Sequence, residues 1–432
     1  MAQNREFEPF VLYLIFFLIL DIISVKVATK KQYFLANIMK KNILIFSTAY
    51  LPLIGGAEIA IKEITDRIGD YSFFLITAKI DPSLASFEKI GNVEVYRVGI
   101  GSKIDKFLLP FLGLKKAREI DKRNKINIIW SMMASQASVA AARFKKKEQD
   151  KKLLLTLQEG DEELHLKRYV LGIDFLYDIL IKPFHDLVFC RADLIQTIST
   201  DLKNRARKKN TVCPIEVVPN GVDIEKFSKK ISDDEKNKIK KDLRINDNDI
   251  VLVHTGRSVK KNNLDDVIRA LKLLPDNIKF LMIGSGPDDK KLSDLAEEKG
   301  LENRIIKIGT VNHDQMVKYL QVADIFIRPS LSEGLGNSFL EAMVAGLPVV
   351  ATQVGGIKDF LFDSEFDKTE KQTGFICQVK DPQSIARKVR QIMDEPVKVE
   401  AVKKNALEMV KNKFDWNIVA RDMNNIFNKI VK

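Results

Sequence analysis

Two carboxylates stand eight positions apart in the stretch Pro329-Ser-Leu-Ser-Glu333-Gly-Leu-Gly-Asn-Ser-Phe-Leu-Glu341-Ala-Met-Val-Ala-Gly346-Leu-Pro348. The apolar run before Pro329 reads as a strand. A glycine-rich turn follows, and a helix opens near Ser338. Backbone N–H groups of Gly334, Leu335, Gly336, Asn337 and Ser338 at a helix N-terminus suit an anion. Glu333 lies before the turn and Glu341 on the helix. Carboxylates are acceptor-only groups, so one suits sugar hydroxyls and the other the hydroxyls of a ribose. A surface helix and a bland turn could each supply one of these features; their joint arrangement points to a sugar nucleotide.

Two further clusters suit the same ligand. Gly256-Arg257-Ser-Val-Lys260-Lys261-Asn-Asn follows an apolar run, placing an Arg and a Lys four residues apart at a strand end. Together they can grip a diphosphate and stabilise it as it leaves, with no metal required. In isolation the same residues read equally well as a solvated basic turn, and Lys260 is an alternate for the Lys261 role. The loop Ser47-Thr-Ala-Tyr-Leu-Pro-Leu-Ile-Gly55-Gly56-Ala-Glu58 ends in two glycines before a predicted helix. Such glycines admit close backbone approach, and the helix end attracts a phosphate; alone, the loop reads equally well as a tight turn. It is neither GxGxxG nor a P-loop, so a redox enzyme with a dinucleotide is disfavoured.

These residues need elements to hold them. From Lys41 onward, short apolar runs alternate with amphipathic stretches, predicting parallel sheets buried on both faces. The first series of strands is expected at Asn42–Thr48, Phe73–Thr77, Val93–Val98, Ile126–Trp130, Leu153–Leu157 and Leu194–Ser199. The second is expected at Ile250–His254, Ile278–Ile283, Ile305–Ile308, Ile325–Arg328, Val349–Ala351 and Gly374–Val379. Predicted helices include Glu58–Ile68, the segment around Tyr169–Ala192, Ser232–Leu243, Asn263–Leu274, Asp289–Lys299, His313–Val322 and Ser338–Ala345. Alternating strands and helices imply two α/β, doubly wound, Rossmann-like domains with ligands in the cleft at the strands' carboxyl ends. The expected division is an N-terminal domain over 39–215, a nucleotide-sugar-binding domain over 216–405, and a terminal helix over 406–432 that folds back on the N-terminal domain.

The motif set resembles the retaining GT-B glycosyltransferases of the large group 1 family (family 4). The resemblance rests on E-x7-E within Ser-x-Ser-Glu-Gly-x-Gly…Glu-Ala-Met-x-x-Gly-x-Pro-Val-Val-Ala-Thr, followed by Val354-Gly355-Gly356. Gly55-Gly56-Ala57-Glu58, Pro219-Asn220-Gly221-Val222-Asp223 with Phe227, Gly256-Arg257 with Lys261, Ile283-Gly-Ser-Gly-Pro287 and Ile308-Gly-Thr-Val311 agree in order and spacing. The resemblance runs from about Met39 to the end. It implies a GT-B fold of two facing domains and a hexosyl- or N-acetylhexosaminyl-transferase. It also implies that Glu333 holds the transferred sugar, Glu341 the ribose, Arg257 and Lys261 the diphosphate, and that Val311 lies where the backbone meets the base. The Gly55-Gly56 loop and the 334–338 loop would complete the cradle. Enzymes of this kind use a UDP- or GDP-sugar, with no metal and no tightly bound cofactor, and the donor's own phosphate helps deprotonate the acceptor. One departure stands out. After the Leu153–Leu157 strand many members carry His, whereas this chain reads Thr156-Leu-Gln158-Glu-Gly-Asp161. Gln158 cannot act as acid or base but can bond a sugar hydroxyl. Gln158 and Asp161 are taken as acceptor or sugar contacts, and His165 lies too far along to substitute. The spacing from Arg257 to Lys261 is also one residue tighter than in many members.

Composition narrows the rest. The chain has 432 residues and three cysteines without a CxxC, which fits a reducing cytoplasm and disfavours a disulfide framework or structural zinc. Four histidines, none in a HExxH or HxH pattern, give no metal signature. The net charge is +12. From Met39 to Ile215 there are 30 Lys and Arg against 21 Asp and Glu; from Glu216 onward, 36 against 34. The basic N-terminal half suits an anionic membrane face carrying a lipid-linked or surface glycan acceptor, and reads equally well as a solvated lysine-rich surface. No nucleic-acid motif accompanies it. Phe10–Val25 is apolar but shorter than the roughly 20 residues of a spanning helix. It reads as an anchor, an interfacial helix or an untranslated extension upstream of Met39, the last being favoured. A sugar-nucleotide epimerase of the same architecture and a non-catalytic glycosyltransferase-like subunit are the competing readings.

Overall fold

The computed structural model describes residues 40–431, apart from Ile54, 159–166, 168–172, Ile181 and Asn210. Residues 1–38, Asp161, His165 and part of the helical segment around Tyr169–Ala192 therefore lie outside the described residues. Two sheets organise the chain. The first holds β1 (Lys41–Phe46), β2 (Tyr71–Ala78), β3 (Phe87–Ile90), β4 (Val93–Val98), β5 (Ile128–Met132), β6 (Lys152–Leu157), β7 (Leu194–Thr197) and β8 (Ile215–Val217). Its order is β3-β4-β2-β1-β5-β6-β7-β8, parallel except for the β3–β4 pair. The second holds β9 (Ile250–Thr255), β10 (Ile278–Ile283), β11 (Ile305–Gly309), β12 (Ile325–Arg328), β13 (Val349–Ala351) and β14 (Phe375–Ile376). Its order is β11-β10-β9-β12-β13-β14, all parallel.

The central strands are mainly apolar because helices cover both faces. Ile43 to Phe46 of β1 and Val251 to Val253 of β9 are fully buried. Two strands depart from the sequence reading. β3 alternates exposed and half-buried residues at the sheet edge, so it carries no apolar run. β8 is three half-buried residues that pair with Ile195, Gln196 and Thr197. The first sheet consequently extends through Val217, past the expected boundary at residue 215.

The chain crosses between the domains twice, and the crossings touch. Val222 N–H donates to Phe414 O at 2.7 Å, and Val222 bridges Asp415. A Cβ on Gly221 would sit 2.6 Å from the Trp416 ring, so only glycine lets the two segments stack. The C-terminal stretch is two helices. Pro396–Lys413 places Ala406 and Val410, with Phe414, in the core of the second domain. Trp416–Ile430 places Trp416, Met423 and Phe427 in the core of the first. The return to the first domain thus starts at Asp415 rather than at 406. Phe427 meets the rings of Tyr71 at 5.5 Å and Trp130 at 5.2 Å, which fixes this helix to the first sheet.

Candidate active site

The site is built on helix N-termini and strand ends. Helix Gly56–Arg67 starts at Gly55, and helix Asn337–Val344 starts at Gly336. Neither has a side-chain cap, a feature shared with helices Asp105–Asn124, Gln136–Lys147, Leu264–Leu271, Asp289–Lys299 and Pro396–Lys413, whereas Ser199, Asp223, Ser232, Asn312, Asp381 and Asp415 cap others. Both uncapped ends line one cavity of about 320 Å³ between the domains. A helix N-terminus carries a partial positive charge and free donors, and these two ends, one from each domain, line the same cavity.

Gly336 must be glycine. Its φ is +93°, and a Cβ would lie 2.5 Å from the Phe339 ring and 3.2 Å from Glu333 Cγ. A second glycine pair backs the loop. Cβ atoms at Gly355 and Gly356 would fall 2.0 Å from the carbonyls of Glu333 and Gly334, and Gly356 N–H donates to Glu333 O at 3.1 Å. The turn carrying Glu333 is therefore held by backbone packing on both sides.

Of the residues singled out in the sequence, Gly55, Gly56, Asn337, Ser338 and Glu341 line this cavity together. Its remaining wall includes Thr255, Gly256, His313, Met316, Lys226 and Trp416. Part of the Glu341 side chain still reaches the cleft, but burial of the carboxyl pushes its pKa up to about 7, against the pull of Arg328 and Lys226. Asn337 Nδ2 donates to Gly221 O at 3.3 Å, tying this loop to the domain crossing. Arg257 and Lys261 are exposed at the end of β9 and stand outside the cavity walls, as does Lys260. The Lys261 carbonyl accepts from Leu331 N–H at 2.7 Å, which places the basic turn against the start of the 331–338 loop. Val311 is half-buried against the second-domain core, two residues before His313. Leu335 is buried.

Sequence reasoning missed Arg328, the last residue of β12. It is 7% exposed. Its guanidinium donates to Glu333, to Ser338 Oγ at 2.7 Å, to Ser330 Oγ at 3.3 Å and to Thr255 O at 3.4 Å, and it lies 4.4 Å from the Phe339 ring centre. One buried cation thus joins a carboxylate, a hydroxyl, a carbonyl and a ring face, as a planar fork with many donors can. It also holds the pKa of buried His254 further below the ordinary histidine value, after burial itself. The signal was legible: a lone Arg ends an otherwise apolar strand. Lys226 was missed too. It pairs with Asp314 at 2.7 Å across the cavity rim.

Gln158, at the end of β6, exchanges two hydrogen bonds with Asn220, at 3.0 and 2.6 Å. Asn220 is buried beside Gly56. Among the described residues no group of three or more His, Cys, Asp or Glu could hold a metal ion.

The two facing α/β domains form the GT-B fold, and solved structures agree in fold. Sucrose-phosphate synthase from Thermosynechococcus elongatus aligns over 90% of this chain and 99% of its own, with TM-score 0.72 at 16% identity. Anabaena HepE in complex with UDP-glucose aligns over 90% and 99%, with TM-score 0.72 at 18% identity. Two family models match: Glycosyltransferase Family 4 over residues 54–226 and Glycosyl transferases group 1 over 235–409. The chain belongs to the group 1 glycosyltransferases. An uncharacterized glycosyltransferase of Methanocaldococcus jannaschii is 26% identical over 418 residues, 91% of this chain and 99% of that protein. The capsular polysaccharide biosynthesis glycosyltransferase CapM of Staphylococcus aureus is 26% identical over 268 residues, 60% of this chain and 67% of its own.

Proposed function

We propose that this glycosyltransferase moves a hexosyl or N-acetylhexosaminyl group from a UDP- or GDP-sugar to a lipid-linked or surface glycan, with retention at the anomeric carbon. The observation that carries the donor reading is the pair of uncapped, glycine-started helices that face one interdomain cavity together with Glu341. In this reading Glu341 accepts from ribose hydroxyls, and the Gly55-Gly56 and Gly334–Ser338 backbones take the diphosphate. Arg257 and Lys261 swing in over it from the exposed end of β9. Val311 lies by the base. Glu333, fixed by Arg328, accepts from hydroxyls of the transferred sugar.

The bond between the anomeric carbon and the diphosphate oxygen breaks, and the electron pair leaves with the nucleotide. The acceptor oxygen bonds to the same face of that carbon, and its proton passes to the departing phosphate oxygen. Arg257, Lys261 and the helix N-termini stabilise the developing charge, the work that fixed donors do best. A carboxylate engaged by Arg328 is a poor nucleophile, which supports Glu333 as a hydroxyl acceptor. Gln158 and Asp161 are assigned to the acceptor side.

The acceptor reading draws on the basic first domain and on the capsular polysaccharide named for the Staphylococcus relative. It places the protein on the cytoplasmic side of an anionic membrane. Among the described residues no helix is long and apolar enough to cross a membrane. A non-catalytic subunit is the second reading, favoured by Gln158, whose amide is already engaged by Asn220. Thermal shifts with UDP, GDP, ADP and their sugar derivatives test the proposal. A ligand at a hundred times its Kd should stabilise by about 2.7 kcal/mol. A shift with one base, lost in Glu341→Ala, supports it; no shift with any of them sinks it.

A further inference from the structure

The first domain exposes apolar side chains that its own packing does not require. The loop after β4 is pinned by hydrogen bonds to one carboxylate. Buried Asp105 accepts from the N–H groups of Ile100, Gly101 and Ser102 at 3.1, 2.7 and 3.0 Å. Yet this fixed loop presents Ile100 at 82% exposure and Ile104 at 63%. Helix Asp105–Asn124 follows, with Leu108 and Phe111 exposed, the latter at 65%. Residues 104, 108, 111, 115, 118 and 122 are spaced four and three apart, so they form one stripe along the helix. The stripe reads Ile, Leu, Phe, then Lys, Arg, Lys. It is apolar at the end nearest the carboxyl edge of the sheet, where the cleft opens, and cationic away from it.

The neighbouring helices continue the pattern. The Arg143 guanidinium lies 5.0 Å from the Phe111 ring centre and 5.6 Å from that of Phe184, bridging two exposed aromatics. Phe175, on helix Asp174–Leu180, is 69% exposed. Residues 100–147 hold twelve Lys and Arg against three Asp and Glu. Those three acids are occupied: Asp105 by its loop, Glu119 by Lys116 at 2.6 Å, and Asp121 by Lys151 at 3.1 Å. The surface therefore combines protruding apolar groups with a net excess of positive charge, although Lys145 pairs with Asp193 at 3.2 Å.

We propose that this stripe is where the protein lies on an anionic lipid bilayer, with the apolar end seated among the acyl chains and the cationic end on the head groups. Helices with that division of residues bind interfaces by buried area plus attraction to anionic lipid. The orientation turns the mouth of the cleft toward the bilayer. This proposal rests on the membrane-acceptor reading above and assigns its surface.

Flotation of the full chain with phosphatidylcholine vesicles, with and without phosphatidylglycerol, tests it. Wild type is expected to float with the phosphatidylglycerol vesicles. The double variant Phe111→Ser with Leu108→Ser should lower partitioning about ten-fold or more, because each buried apolar side chain is worth enough for that. Lys115→Glu with Arg118→Glu should abolish the preference for phosphatidylglycerol. Binding undiminished in both variants, or no binding by wild type at low salt, overturns the proposal. Nucleotide-induced thermal shifts on the same samples separate the two failures. A shift without flotation rejects this surface alone; flotation without a shift rejects the donor reading and leaves the surface standing.

Discussion

The two walls of the cleft are built on opposite plans. On the second-domain wall, Arg328 is buried under Phe339 and engaged with Glu333, Ser338, Ser330 and Thr255, and glycine carbonyl contacts lock the 333–336 turn from behind. The first domain meets the cleft with the Gly55-Gly56 helix start, Ile59 and Glu63, while at the loop after β4 and on helix Asp105–Asn124 its apolar side chains stand in solvent. A wall that must hold one constant ligand gains from pre-organisation, since fixed donors cost nothing to reorganise at the moment of reaction. A wall that meets a large acceptor gains from reach and surface. The contrast makes substitutions on the second-domain wall expensive in stability, and those on the first cheap.

The strongest way to break this contrast is Arg328→Met. Removing one partner of a buried pair leaves the other uncompensated, so we expect a loss of about 3–5 kcal/mol in a denaturant titration. Adding Glu333→Gln should restore part of it. A loss no larger than that of a surface arginine would mean that the clasp is incidental. Gly336→Ala comes next. The left-handed backbone and the 2.5 Å approach to Phe339 predict a cost of about 1–3 kcal/mol, with weaker sugar-nucleotide binding as Glu333 is pushed aside.

Glu341 gives a pH signature. Its pKa is raised to about 7 from an ordinary 4.5, so across that interval the folded protein keeps a proton that the unfolded chain has released. The stabilisation is full below about 4.5 and is lost as pH rises through about 7. Glu341→Gln should therefore flatten this dependence and make the ligand-free protein more stable at pH 8, on the order of 1–2 kcal/mol given the partial exposure. Nucleotide affinity in wild type should run the other way, rising up to about ten-fold from pH 6 to 8 as the ribose acceptor ionises. The smallest effect belongs to the opposite wall. Gln158→Ala breaks the pair with Asn220 and should cost about 0.5–1.5 kcal/mol. Nucleotide thermal shifts should be unchanged; a lost shift would place Gln158 in the donor site.

The fold was legible because parallel strands buried on both faces write themselves as apolar runs; among the described residues twelve of the fourteen strands were anticipated, although β4 alternates and β11 is only half-buried. β3 and β8 carry no such run, one because it is an exposed edge and the other because it is three half-buried residues. The helices of the site were readable within a residue or two, since Gly55-Gly56 and Gly336 mark their starts. The return of the chain to the first domain was placed early, because periodicity over 397–432 does not reveal which core each helix faces. Only packing shows Phe414 in one and Trp416 in the other. Arg328 could have been marked as a lone Arg ending an apolar strand, but its partners appear only when β9, β12 and the 333–338 loop meet in space. Asp161 and the first 38 residues lie outside the described residues.

The most direct test is calorimetric titration of Glu333→Ala and Glu341→Ala with a nucleoside diphosphate and with its sugar derivative. The site described here predicts that Glu341→Ala weakens both ligands alike. Glu333→Ala should bind the nucleoside diphosphate normally and lose the added affinity of the sugar. Equal weakening of both ligands by Glu333→Ala would contradict the division of the two carboxylates between sugar and ribose.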